Sequence, residues 1–251
     1  MKTARVGYMD VKVYDTRAEM GASAAKHVAA FIKAFAEIKP EVNVIFAAAP
    51  SQNELLEALV ADKTIDWSRV NAFHMDEYIG LPSTAPQQFS KFLTDRLFGL
   101  LPFKSVHTLN GTNDPAAECE RYAALLRQYP IDIVCLGIGE NGHLAFNDPP
   151  VADFEDPALV KVVELEEVCR QQQVNDGCFK TLADVPKTAL TLTVPTLLNV
   201  PVKVTIVPGS TKTEAVYRTL NWPVGTACPA TALRLVPSTL YLDSASAARV
   251  L

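Results

Sequence analysis

The sequence predicts a doubly wound α/β fold: a mostly parallel sheet with helices on both faces, a three-layer sandwich. Three observations carry this. Strand-like and helix-like segments alternate from end to end. The runs VNVIFAA (42–48) and IDIVCL (131–136) are apolar at almost every position, as expected of strands covered on both faces. No internal repeat, low-complexity tract or Gly/Ser linker divides the 251 residues, so 1–251 is expected to form one domain.

The elements follow in order. A short β-rich run covers 11–14, and Asp15-Thr16 is a capping signal ahead of an Ala-rich amphipathic helix over 18–36. A buried strand at 42–48 leads to a helix at 51–61, and the stretch 68–74 contains a third strand. A helix at 87–97, a short strand at 106–109, a helix at 115–129 and a strand at 131–136 come next. Strands are then expected at 159–163, 189–193, 202–207 and 240–242, with a helix at 210–220. Residues 144–186 are expected to form an irregular, lid-like insertion at the functional edge.

Composition narrows the function. With 49% hydrophobic residues the chain can bury a large core and is not disordered. A net charge of -5 offers no broad basic field for nucleic acid. No apolar run approaches the ~18 residues of a membrane span, and no signal-like h-region follows Met1, so a cytoplasmic location is expected. The five cysteines contain no C-x-x-C, and the four histidines contain no close pair, so no disulfide framework, zinc ribbon or other metal site is expected.

In a doubly wound sheet, ligands bind beyond the carboxyl ends of the strands. Three segments predicted to lie there carry chemistry. Asp76 and Glu77 follow directly on an apolar strand; neighbours leaving a strand point apart, so one would face the crevice as a general base while the other anchors the loop. Equally, both would serve as loop acids capping the next turn. In LGIGENGHLAFNDPP (136–150), three glycines permit close backbone approach, and His143 is the one histidine in such a loop. Asp148 lies five residues on, a spacing that pairs the two side chains on neither a helix nor a strand; only an irregular turn would let Asp148 orient the imidazole, with Asn141 able to do so without a charge. The alternative is a solvated loop histidine. In VPGSTK (207–212) a strand ends in Gly, hydroxyls cap a helix and Lys212 sits in its first turn, which favours an anion or is ordinary capping. No Walker A loop occurs.

Taken together, three ordered motifs resemble the glucosamine-6-phosphate deaminase/isomerase family, which is related to the 6-phosphogluconolactonases. The chain has MDEYIGLP (75–82) for the family's MDEY-x-GLP, GHLAFNDP (142–149) for GHIAFNEP, and VPKTALT (185–191) followed by TLL (196–198) for the third. The likeness covers about residues 40–240. It implies conversion of an amino-sugar phosphate to a ketose phosphate plus ammonia, without a cofactor. By resemblance Asp76 moves a proton between C2 and C1, His143 opens the sugar ring, Asn141 and Asp148 orient His143, and Lys212 binds phosphate. Ser51, Gln52, Glu77, Gly142 and Arg170 complete the expected substrate-binding set. The FN(E/D)P continuation favours the deaminase branch over a sugar-phosphate lactone hydrolase; a non-catalytic sugar-phosphate sensor is the third reading. The expected partner is a small sugar phosphate, and the chain is either a monomer or a homo-oligomer.

Three departures bear on the phosphate. The family's TGxTP-like loop is AAAPSQ (47–52), without Gly and with Pro50 lacking an N–H. The lid arginine that some members carry just before a Phe is absent from NDGCF (175–179), leaving Arg170 with Gln171–Gln173 to compensate from upstream. Asp148 is one methylene shorter than the family's Glu.

Overall fold

In the computed structural model, which describes residues 1–250, the two apolar central strands serve two cores at once. Val44 and Phe46 pack into one core and Ile45 and Ala47 into the other; Ile133 and Cys135 alternate in the same way with Val134 and Leu136. Side chains two apart share a face, so a strand apolar throughout needs cover on both sides.

The chain opens with a hairpin, β1 (Lys2–Val6) and β2 (Met9–Tyr14); the sequence reading assigned only the second half of it. α1 (Arg17–Ile38) starts at Thr16, whose hydroxyl accepts from the Glu19 N–H while the Glu19 carboxylate accepts from the Thr16 N–H. After β3 (Val42–Phe46) come a 3-10 turn and α2 (Asn53–Ala61), then β4 (Val70–His74) and the short β5 (Asp76–Tyr78). The helix expected over 87–97 is α3 (Phe89–Leu93), widening at Thr94–Phe98 into a π-helical turn. β6 (Ser105–His107), α4 (Pro115–Gln128) and β7 (Ile133–Leu136) follow, then β8 (Val160–Glu164), α5 (Glu167–Asn175), β9 (Thr188–Leu192), α6 (Val194–Leu198), β10 (Val202–Val207), α7 (Thr213–Asn221) and β11 (Ser238–Asp243). Between 144 and 186 lie β8, which matches the strand expected at 159–163, and α5, a helix the sequence reading did not assign.

The main sheet has eight strands in the order β1-β2-β11-β10-β7-β3-β4-β6, parallel except for β1. α1 and α2 cover one face; residues of α4, α6 and α7 pack against the other. From β3 the chain winds outward through β4 and β6, then returns to β7 on the opposite side of β3. The winding therefore reverses between β3 and β7, and their carboxyl ends diverge to leave a crevice.

A second, three-stranded antiparallel sheet, β5-β9-β8, sits above that edge. It pairs Asp76 with Thr191 and Glu77 with Leu190, so the first and third of the sequence motifs are strand partners. The Thr191 hydroxyl accepts from the Phe146 N–H at 3.0 Å, and Asn147 Nδ2 donates to the Leu192 carbonyl at 2.8 Å, which fastens the second motif to the same strand.

Removing the reciprocal cap at the start of α1 tests this local reading. Thr16→Ala is expected to lower stability by about 1 kcal/mol in urea unfolding, with the fold and any activity retained.

Candidate active site

At the β3/β7 crevice lies a cavity open to solvent, where a sheet of this kind is expected to bind its ligand. Its floor is backbone from the two strand ends, Ala47–Ala49 and Gly137–Gly139. Asp76, His143, Ser51 and Lys212 all line it, so four residues from four separate strand-end segments share one space.

His143 is only 8% exposed. Its Nδ1 lies 2.7 Å from Asn141 Oδ1 and 3.0 Å from Asp148 Oδ1. Both partners accept, so Nδ1 carries the hydrogen and Nε2 is left with its lone pair. The irregular turn that the five-residue spacing required is present. Leu144 and Asn147 form an isolated bridge, and Ala145 takes φ 50°, a left-handed conformation uncommon for a residue with a Cβ. Burial alone would push the Asp148 carboxyl up; hydrogen bonds from His143, Asn141 and the Glu166 N–H outweigh it and hold the group below the usual carboxylate range.

The glycines of this loop serve the protein more than the ligand. A Cβ on Gly139 would lie 2.1–2.3 Å from three atoms of the His143 ring, so the imidazole stacks directly on bare backbone. Gly142, expected to bind substrate, instead turns the chain at φ 89° with its α-carbon against Cys228, and it does not line the cavity.

Asp76 and Glu77 divide the work as their strand geometry requires. Asp76 faces the cavity at 7% exposure; burial first, and the neighbouring Glu77 charge second, push its carboxyl well above the usual range. Glu77 points away. Its carboxylate accepts from the N–H groups of Tyr78, Phe89 and Ser90, fastening β5 to the start of α3. Burial also raises the Glu77 pKa, with those N–H bonds opposing the rise. Glu77 is thus the loop anchor and not a substrate contact. His74, two residues before Asp76, is a structural histidine. Fully buried, it accepts from the Leu109 N–H, and desolvation lowers its pKa to about 3.

Lys212 also lines the cavity, 5% exposed and with no hydrogen-bond or ion-pair partner among the described residues. Desolvation lowers its pKa, opposed by the charges of Asp176 and Glu140. Gln52 and Arg170 do not reach the cavity. Gln52 is fully buried behind Ser51, donating to Ser51 Oγ and the Leu136 and Ile206 carbonyls, and so ties the 47–52 loop to β7 and β10. The Arg170 guanidinium donates to the Leu182 and Val185 carbonyls and closes the loop after α5. Of the Arg170–Gln173 stretch expected to stand in for the lid arginine, Gln172 and Gln173 reach the cavity wall on α5, whereas Arg170 and Gln171 do not. Sequence reasoning missed Phe89 and Phe146, which line the cavity with apolar surface.

His143, Asp148 and Cys169 place donor atoms within 4.8 Å of one another. Burial, and then the Asp148 charge, push the Cys169 thiol well up, so it stays protonated and is poorly suited to be a thiolate ligand. The set as it stands is a hydrogen-bonded support for the imidazole. A carboxyl of raised pKa and an imidazole backed by a carboxylate open onto one cavity, a pairing suited to moving protons between adjacent atoms of one ligand.

Comparison with known proteins agrees with this geometry. Residues 15–241 match the family of glucosamine-6-phosphate isomerases and 6-phosphogluconolactonase. A glucosamine-6-phosphate deaminase of Exiguobacterium sp. is 41% identical over 187 residues, 74% of this chain and 72% of that protein. One from Listeria monocytogenes is 34% identical over 209 residues, 82% and 87% of the two chains. Among solved structures, a monomeric glucosamine-6-phosphate deaminase superposes with a TM-score of 0.86 at 30% identity, covering 95% of this chain and 98% of its own. A 6-phosphogluconolactonase of Thermotoga maritima shares the fold at a TM-score of 0.76 and 18% identity, covering 94% and 99%. By the extent of the family match and the identity to its deaminases, this chain belongs to the glucosamine-6-phosphate isomerase/6-phosphogluconolactonase family of enzymes.

Proposed function

We propose that the chain is an isomerising deaminase of amino-sugar phosphates, taking glucosamine-6-phosphate or its galactosamine epimer, with water, to a ketose phosphate and ammonia. The observation that carries the reading is the cavity that Asp76 and His143 share with the unpaired Lys212. The deaminase relatives support it over lactone hydrolysis, for which the likeness is one of fold.

In this reading the sugar enters with its phosphate towards Lys212 and Ser51. The Nε2 lone pair of His143 takes the proton of the anomeric hydroxyl and returns one to the ring oxygen as the C1–O5 bond breaks. The Asp148 carboxylate stabilises the imidazolium formed in between. Ionised Asp76 then removes the proton from C2 as one passes from the substrate ammonium to O1, giving an enol-amine, and returns its proton to C1. The resulting C2 iminium adds water and expels ammonia, releasing one proton. Asp76 is suited to this task because its apolar surroundings make the carboxylate more basic than in water, while Glu77 holds the strand that aims it. Among the described residues no helix is long and apolar enough to cross a membrane.

Asp76→Asn is expected to reduce ammonia release by about 10²–10⁴-fold, the scale of a lost general base. Retention of full activity would refute the base assignment, and lactone hydrolysis without ammonia release by the unmodified protein would favour the lactonase reading. The same variant has a stability signature. The folded-state pKa of Asp76 is raised above its unfolded value, so the contribution it makes to stability is complete below the unfolded pKa and is lost as pH rises through the folded value. Asp76→Asn should therefore resist urea better than the wild type at pH 8, with the difference narrowing towards about pH 4. Lys212→Gln is expected to raise KM for the phosphorylated sugar by about tenfold or more and to change kcat little, as the loss of one charge-assisted hydrogen bond implies. Gly139→Ala should push the imidazole out of line and cost about 10²-fold in kcat with the circular dichroism unchanged.

A further inference from the structure

Behind His143, besides its direct contact with Asp148, the Asn141 amide stands between two carboxylates. Asn141 Nδ2 donates one hydrogen to Asp148 Oδ1 at 2.9 Å and the other to Glu166 Oε2 at 2.8 Å. Asn141 Oδ1 accepts from the His143 backbone N–H at 3.0 Å and faces the imidazole Nδ1 at 2.7 Å. The two ends of a carboxamide are nearly equal in size, so partners alone decide which end meets the ring. Ionised carboxylates only accept. With two of them on one side, the NH₂ end is drawn towards both, and the carbonyl end is left for Nδ1. Reversed, the amide would offer an N–H to Nδ1 and drive the ring hydrogen to Nε2, taking the lone pair away from the cavity. Asp148 is shared with the ring itself, through a 3.0 Å contact to Nδ1. Glu166 is the acceptor committed to the amide alone.

We infer that Glu166 is a positioning residue: its hydrogen bond to Asn141 fixes the amide orientation that keeps the His143 hydrogen on Nδ1 and the lone pair on Nε2. The carboxylate does not line the cavity and touches no substrate position. It does sit at the first turn of α5, where its own N–H donates to Asp148 Oδ2 at 3.1 Å. The same helix carries Gln172, whose side-chain oxygen accepts from the Glu140 N–H at 2.8 Å at the cavity wall. Seating α5 and selecting the imidazole tautomer are therefore one event.

The catalytic consequence rests on the deaminase reading, so the test has an arm independent of turnover. Ring ¹⁵N shifts of His143 in the whole protein should show a protonated Nδ1 and a bare Nε2. Glu166→Ala should move them towards the Nε2–H tautomer, and should lower kcat for ammonia release from glucosamine-6-phosphate by at least about tenfold with KM nearly constant. Glu166→Gln, whose side-chain oxygen still accepts from Asn141, should restore both. Should the alanine variant not fold, Glu166→Met keeps the stem and lacks the acceptor, with the same expected shifts. Wild-type ¹⁵N shifts in a folded alanine or methionine variant overturn the assignment. A glutamine variant as impaired as alanine also overturns it, because charge and not orientation would then be at work. If the wild type releases no ammonia, the deaminase reading fails while the nitrogen shifts still decide the role of Glu166.

Discussion

Everything in the cavity depends on the pairing of His143 with Asp148 across a turn that no regular element would make. Five residues apart, the two side chains meet because Ala145 adopts a left-handed conformation and Asn147 ties the turn to the Leu144 and Leu192 carbonyls. The conformation of Ala145 is uncommon for its residue type, and it persists because β9 holds the turn from one side and α5 from the other. Loosening either support would free the imidazole to rotate. The second sheet is therefore part of the catalytic frame: β9 pairs with the strand bearing Asp76 and, through Thr191, with the loop bearing His143.

Two aspartates near one another end up with opposite character. Asp76 lies in apolar surroundings beside a like charge, and its proton is held tightly. Asp148 is as deeply buried, yet three hydrogen-bond donors surround it and keep it ionised. Burial is common to both; the number of donors decides the sign of the shift. One carboxyl becomes a basic group facing the ligand, and the other a permanent negative charge behind the imidazole.

The anion end of the cavity is sparer than the motifs of the family led one to expect. Pro50 brings no N–H to the 47–52 loop, Gln52 serves as a strut, and Arg170 is committed to backbone carbonyls. One buried ammonium, Lys212, is left with two amides, Gln172 and Gln173, beside it. Lys212 is the one lysine or arginine among the described residues lining the cavity, and the lack of water around it strengthens its charge.

Much was legible in the sequence. The doubly wound sheet followed from the apolar runs at 42–48 and 131–136, because a strand without a polar face has no stable place except between two layers. Asp76, His143 and Lys212 were legible as well, because each stands where a strand of such a sheet ends. Local pattern could not give the helix α5, the strand β5 and the sheet it forms with β9 and β8, or which of Asp76 and Glu77 faces the cavity. The residues 167–175 are polar, with an apolar face too weak to mark a helix, and β5 is three residues long. Such elements are stable only through partners distant in the chain: Thr188–Leu192 for β5, and Asn141 and Asp148 for the start of α5. Composition and spacing thus determined which residues stand at the ligand edge of the fold. Hydrogen bonds between separate segments decided which of them face the cavity and where their protons sit, since both depend on partners such as Thr191 for Asp76 and Glu166 for Asp148 that local pattern does not bring together.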